Sequence, residues 1–99
     1  MRKIEQQMVN AVNNRDTWAG GNTQVSWNVK DSEGKLVGQV HLYGHLIAWL
    51  VQHDGEIVVV PEKKTFRDWP TATTRSRLVA LGVDACIRNF EACIDGVPV

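Results

Sequence analysis

The sequence predicts an α+β fold with an N-terminal helix, a four-stranded antiparallel meander and a second helix. Three observations lead to it: an apolar stripe of helical spacing in residues 3–14, strand-length apolar or alternating segments separated by turn residues in 23–60, and a helix start signal at Pro70. The helices are expected to pack on one face of the sheet. A chain of 99 residues supports one core, so we predict a single domain over residues 1–99.

The first helix is predicted over residues 3–14. Ile4, Met8, Ala11 and Val12 follow the i, i+4, i+7, i+8 spacing of one helix face. Polar residues end the helix. After Trp18, the stretch Ala19-Gly20-Gly21-Asn22 is predicted to be a flexible turn that reverses the chain.

Four strands are predicted, over residues 23–30, 36–43, 46–52 and 57–60. In the first, apolar and polar residues alternate as they do in a half-buried strand. The pair Asp54-Gly55 is typical of a two-residue type I′ turn. Since proline has no N–H to donate to a ladder, Pro61 ends the meander.

The segment 62–69 is predicted to be a charged connection. Pro70 and the threonines after it supply the fixed φ and the capping oxygens that start a second helix, which ends at about Leu81. Arg75 and Arg77 are expected to flank the apolar stripe of this helix. Their stems would lie along the stripe and their guanidinium groups would stay in water.

The tail after residue 84 fits two structures. A hairpin would bend at Asn89-Phe90 and set Cys86 opposite Cys93. A helix would collect five apolar residues on one face, and spacing alone favours it: Cys86, Ile87, Phe90, Cys93 and Ile94. We expect both cysteines to be reduced packing residues, since two are too few for a disulfide scaffold.

Charge and hydropathy exclude several functions. The chain has 11 Lys+Arg and 11 Asp+Glu, so any contact with nucleic acid must come from a local patch. No stretch approaches the roughly 18 apolar residues of a membrane span, and no apolar region follows the first basic residues as in a signal peptide. We therefore expect a cytoplasmic protein without membrane contact.

Catalytic and metal signatures are weak in this sequence. His41 and His45 are four residues apart, but on a strand and a bend their rings need not converge, even with His53 and Asp54 nearby. There is no nucleophile elbow and no phosphate-binding loop. We expect a protein that is not an enzyme and has no metal or cofactor.

The strongest functional feature is the segment 62–77, which carries a local charge of +3 in a neutral protein. It fits either a surface that attracts a polyanion or an ordinary solvated helix face. Two tryptophans in connections fit either exposed stacking platforms or local packing. The candidate contact residues for nucleic acid or a partner protein are Lys63, Lys64, Arg67, Trp69, Arg75, Arg77 and Trp18.

Several motifs resemble a family of small tailed-bacteriophage proteins, and they cover nearly the whole chain. They are Ile4-Glu5-x-x-Met8, Gly21-Asn22-Thr23-x-Val25, His41-Leu42-x-Gly44-His45 and the most distinctive, Trp69-x-Thr71-x-Thr73-Thr74-x-Ser76-Arg77-Leu78. The resemblance implies a C-terminal β-hairpin around Asn89-Phe90-Glu91 instead of the helix. It also implies a phage protein acting in the host cytoplasm, without implying an activity.

Two functions of different class are therefore predicted. The first is a non-catalytic binding module that contacts nucleic acid through the Lys/Arg/Trp patch. The second is a host-directed protein that binds and inhibits a host or defence enzyme, with exposed aromatic residues as anchors.

Overall fold

Two antiparallel sheets and three helices make up the fold of residues 2–99, which the computed structural model describes. The predicted α+β class is confirmed. The meander differs from the prediction, because the large sheet has five strands and a separate three-stranded sheet follows the last helix.

The first helix, α1 (Lys3–Asn14), has the predicted bounds. It ends where Arg15 turns into the left-handed region, with φ 55°, and donates its N–H to the carbonyl of Val12 at 3.2 Å. Of the predicted apolar stripe, Met8, Ala11 and Val12 are buried and Ile4 is half-buried. Glu5 is also buried, which the stripe did not indicate.

The large sheet runs in chain order, each strand antiparallel to the next. Its strands are β1 (Trp18–Gly20), β2 (Thr23–Lys30), β3 (Leu36–Leu42), β4 (His45–His53) and β5 (Glu56–Pro61). The last four are the predicted meander. The three residues of β1 were predicted to lie outside any strand, and that was wrong.

Strand β1 forms because the reversal after it is tighter than a long flexible turn. Gly21 takes a φ of 55°, and the chain returns so quickly that Gly20 pairs with Thr23 and Trp18 with Val25. The ring of Trp18 lies over Gly20, where an added Cβ would come within 2.4 Å of it. Glycine at this position therefore allows a strand where composition predicted only a turn.

Two irregularities in the ladder bend the large sheet. The first lies between Ser26 and Val29, where Asn28 has a φ of 61°. The second lies between Val40 and His41 and leaves Ile47 as the extra residue of β4. A bulge bends the strand that carries it. The bulge at Ile47 lies next to the β3–β4 turn, which forms one side of the candidate site.

Two helices follow the meander, α2 (Lys63–Asp68) and α3 (Ala72–Ala80). Helix α2 lies inside the segment 62–69, so the prediction of a charged connection was wrong for residues 63–68. One fully packed side chain, Phe66, which is 1% exposed, anchors this short helix to the core. Helix α3 begins after Thr71, whose Oγ1 accepts a hydrogen bond from the N–H of Thr74 at 3.1 Å, as predicted for a capping threonine.

The tail forms a hairpin and not the helix that its spacing favours. Strands β6 (Ala85–Arg88) and β7 (Glu91–Ile94) pair around Asn89-Phe90, and β8 (Val97–Pro98) adds a third strand. The hairpin that the phage-family resemblance implies is therefore confirmed. Cys86 lies opposite Cys93, and both are free thiols. Burial is the main cause that raises the pKa of Cys93, and the neighbouring Cys86 thiol raises it further.

One face of the large sheet carries the core. Its inward side chains Val25, Val40, Ala48 and Leu50 are fully buried, and α1, α2 and α3 each contact strands of this sheet. On the opposite face Val37 is buried, and the other side chains are half-buried or exposed, as at Val60. This burial pattern agrees with helices packed on one sheet face.

Candidate functional site

A cleft of about 280 Å³ opens between the β3–β4 turn and the connection from α2 to α3. We call it the aromatic cleft. Its walls come from segments that are far apart in sequence: Leu42, Tyr43, His45, Ile47, Thr65, Trp69, Thr71, Thr73 and Thr74.

Three aromatic side chains surround the mouth of this cleft. Trp69 is 52% exposed, and its ring centroid lies 4.6 Å from that of His45 at an interplanar angle of 31°. Tyr43 is 70% exposed and stands at the β3–β4 turn, where its φ is 52° and that of Gly44 is 78°. The backbone N–H of Tyr43 donates to the carbonyl of Asn22 at 2.8 Å, which ties this turn to the β1–β2 reversal.

The floor of the cleft is apolar and its rim carries hydroxyl groups. Leu42 and Ile47 are buried beneath it. Thr71 uses its hydroxyl in the cap of α3, 2.9 Å from the hydroxyl of Thr74. Within residues 2–99, no side-chain hydrogen bond engages the hydroxyl groups of Thr65 and Thr73, so both are available to a ligand.

The predicted cations lie on the two helices that form one wall of the cleft. Lys63, Lys64 and Arg67 are exposed on α2, which also supplies Thr65. Arg75 is exposed on α3, next to the cleft residue Thr74. All four side chains are therefore exposed, but none of them lines the cleft, and Arg75 borders a separate groove with Glu5 and Ser76.

One of these cations already has a partner. The Nε of Arg67 lies 3.4 Å from Oδ1 of Asp68, and both side chains are largely exposed. An exposed ion pair of this kind contributes only about 0–1 kcal/mol, so Arg67 can exchange Asp68 for another anion at little cost.

Arg77 does not lie on this surface, and the expectation that its guanidinium group stays in water is wrong. The side chain is 3% exposed, and its Nη1 donates to Oε2 of Glu5 at 2.8 Å. The partner is 72 residues away in sequence, so no local pattern indicates the pair. Without Arg77, the segment 62–77 presents a charge of +2 instead of +3 to solvent.

The buried pair belongs to a network that joins α1, α3 and β2. Nε of Arg77 donates to Oγ1 of Thr23 at 3.1 Å, and Nη2 donates to Oδ1 of Asn22 at 3.3 Å. Ser76 donates its hydroxyl to the same Oε2 of Glu5. No buried side-chain nitrogen or oxygen within residues 2–99 lacks a partner, so the network is complete.

Glu5 is charged within this network. Burial, the largest single influence, raises the pKa of its carboxyl group. The hydrogen bonds from Ser76 and Arg77 act against burial and together with the Arg77 charge hold the pKa of Glu5 below its usual value. The ion pair of Glu5 and Arg77 is therefore a structural contact inside the fold and not part of a contact surface.

Trp18 is not brought to the aromatic cleft. It is half-buried against the core and borders a separate groove beside α1, with neighbours such as Gln7 and Asn10. None of the candidate cations lines that groove. Of the two tryptophans singled out by the sequence, only Trp69 combines exposure with nearby positive charge.

The histidines and cysteines form no metal centre in the described part of the chain. Residues 2–99 contain no group of three or more His, Cys, Asp or Glu side chains placed to hold a metal ion. His45 packs on Trp69, whereas His53 lies at the distant β4–β5 turn, 3.4 Å from Asp54. The two residues His45 and Tyr43 were not among the predicted contact residues, although both precede or follow a glycine at a strand end.

The fold and the cleft define a small α+β protein with one aromatic, hydroxyl-rimmed recess next to exposed cations. None of the helices in residues 2–99 is long and apolar enough to cross a membrane. The chain belongs to the Kyanoviridae Gp96 protein family, a family of phage proteins, whose model matches residues 1–97. Comparison with curated proteins and with solved structures finds no match.

Proposed function

We propose that this phage protein is a non-catalytic nucleic-acid-binding module that acts in the host cytoplasm. The observation that carries the proposal is Trp69, which is 52% exposed and packs on His45 between two helices that bear exposed cations. An exposed indole next to lysines and arginines is the usual arrangement for stacking on bases while the cations contact phosphates.

The electrostatic contribution is small, because the protein as a whole is neutral. Four exposed cations, Lys63, Lys64, Arg67 and Arg75, stand against Glu62 and Asp68 in the same segment. Each phosphate that such a group neutralises adds about −0.7 to the slope of log affinity against log salt for a single strand. With at most a few such contacts, we expect a shallow salt dependence and affinity shared between charge and stacking.

A salt titration tests this proposal. Binding of labelled single- and double-stranded DNA and RNA oligonucleotides is followed by fluorescence anisotropy at about 50 mM and about 200 mM salt. We expect the double variant Lys63→Ala, Lys64→Ala to weaken binding about three- to tenfold and to flatten the salt slope.

The matched control is Lys30→Ala, Lys35→Ala, which removes the same charge from the β2–β3 hairpin. Both of its lysines are exposed and lie next to the start of β3, at the end of that strand away from the β3–β4 turn. We expect this variant to bind as the wild type does. Equal losses from the two double variants, or no binding of any oligonucleotide at low salt, would contradict the proposal.

A different observation favours the second function, a host-directed protein that inhibits a host or defence enzyme. Phe90 is 94% exposed at the tip of the β6–β7 hairpin. A protruding aromatic ring of this kind is a typical anchor of protein interfaces. Pull-down from host lysate with the wild type and with Phe90→Asn tests it: the hypothesis requires a stoichiometric partner that the variant fails to retain.

A further inference from the structure

We infer that the aromatic cleft takes a single unpaired nucleobase, so that the protein recognises single strands and not duplexes. This rests on the proposed nucleic-acid function and specifies its ligand. Three features of the cleft support it: its uncharged lining, its free hydroxyl groups and the backbone conformation of Tyr43.

The lining selects a neutral, planar and partly apolar ligand. The rings of Trp69 and His45 form one side, and Leu42 and Ile47 form an apolar floor. No Asp, Glu, Lys or Arg lines the cleft. Because a charged group would lose its hydration there without gaining a partner, the cleft favours a heterocycle over a phosphate or an ammonium group.

The cleft also offers hydrogen bonds to the edge of such a ring. The hydroxyl groups of Thr65 and Thr73 line it and have no partner within residues 2–99. A hydroxyl both donates and accepts, so these two threonines suit the mixed donors and acceptors of any base edge. We therefore expect stacking with little sequence preference.

Folding alone does not explain the backbone conformation of Tyr43. An L-residue with a bulky side chain is strained at a φ of 52°, and this ring is 70% exposed, so it recovers little by burial. The equivalent position of the β4–β5 turn is Asp54, a residue type that tolerates this conformation. A tyrosine at the lip of the cleft is explained if its ring contacts a ligand.

A base held inside the cleft has to be unpaired. A base inside the cleft needs its faces and its edge free, which is the state of a single strand and not of a duplex. The backbone of that strand would lie outside the cleft, and the exposed cations Lys64, Arg67 and Arg75 belong to the two helices that Trp69 connects. Stacking and phosphate contact therefore come from adjoining but separate groups.

The test compares a strand, its duplex and a free nucleoside on the same variants. Anisotropy gives the affinity for a single-stranded oligonucleotide and for the duplex of the same sequence, and adenosine is added as a competitor. We expect the single strand to bind at least about tenfold more tightly than the duplex. Trp69→Ala should cost the single strand about five- to 150-fold, the range of one lost base stack.

Tyr43→Asn separates a ligand contact from a structural role. Asparagine suits the left-handed turn position, so this variant should melt at the same or a higher temperature and still bind single strands more weakly. Phe90→Asn is the matched control, because it makes the same exchange at a left-handed hairpin position that does not line the cleft. It should keep the wild-type affinity.

The outcomes distinguish this inference from the proposed function. If strand and duplex bind equally and Trp69→Ala changes neither, the inference fails while nucleic-acid binding stands. If no oligonucleotide binds but adenosine does, and Trp69→Ala abolishes it, the cleft holds a base and the nucleic-acid function fails. If neither binds, both are wrong.

Discussion

Arg75 and Arg77 lie two residues apart on the same helix and have different roles. Arg75 is exposed, whereas Arg77 is buried against Glu5 and two residues of the β1–β2 reversal. The angular position of each side chain around the helix axis follows from the sequence. The partner of Arg77 does not, because Glu5 lies on a different helix and its position on the core-facing side depends on how α1 packs.

The first prediction concerns this pair. Arg77→Ala leaves the Glu5 charge buried without a partner, so we expect it to lower the free energy of unfolding by about 3–5 kcal/mol. Arg75→Ala, on the same helix but in solvent, should change it by less than about 0.5 kcal/mol. Urea unfolding of the two variants measures the difference, and similar midpoints would contradict the buried ion pair.

The second prediction is a loss of stability in acid. Since the pKa of Glu5 is lower in the folded state, its contribution is fully present above the unfolded value of about 4.3 and is lost as the pH falls through the folded value. His41, whose pKa burial lowers, acts in the same direction near its own range. Unfolding free energies measured from neutral pH down to about pH 3 should fall, and Glu5→Gln should flatten the lowest part of that curve.

At the scale of elements, the hairpin turns show which residue types set the backbone and which tolerate it. The predicted Asp54-Gly55 turn is confirmed, with φ values of 51° and 79°. The Asn89-Phe90 turn also has two positive φ values, 49° and 65°, but puts an aromatic residue where glycine is usual.

The third prediction follows from this difference. Phe90→Gly should raise the free energy of unfolding by about 0.5–1 kcal/mol, because glycine takes a positive φ without strain and the lost ring was 94% exposed. Gly55→Ala, the reverse change at a residue with φ 79°, should lower it by about 1 kcal/mol. Thermal melts of both variants measure this, and a destabilised Phe90→Gly would show that the ring packs on something.

The elements that sequence patterns missed share a physical reason. Helix α2 has one buried apolar residue, Phe66, too few to produce a periodic stripe. The tail misleads because its apolar residues are symmetric about the bend: Cys86 and Cys93 pair across the hairpin just as they share a helix face. The strands of the meander were predicted because alternation or an apolar run between turn residues marks each of them, whereas the three residues of β1 are too short for either pattern.

At the scale of the whole molecule, the candidate site is a product of the fold. Trp69 was a candidate because it stands in a polar connection, but His45 and Tyr43 reach it from the β3–β4 turn, more than 20 residues earlier in the chain. A local count assigned five cations to one patch. Four of them are exposed, and the fifth, Arg77, is buried in an ion pair. Spacing along the chain identifies such residues as candidates, and only packing assigns them to solvent or to the core.

The most direct test of the central claim is the indole N–H resonance of Trp69 in NMR, assigned with Trp69→Phe and followed during titration with a single-stranded oligonucleotide. The indole groups of Trp27 and Trp49 donate to Asp16 and Glu62, at 3.0 Å and 3.3 Å, and serve as internal controls. We predict a saturable shift at Trp69 with the two controls unmoved. A titration that binds the strand but leaves Trp69 unshifted, or moves all the indoles alike, would contradict base stacking in the aromatic cleft.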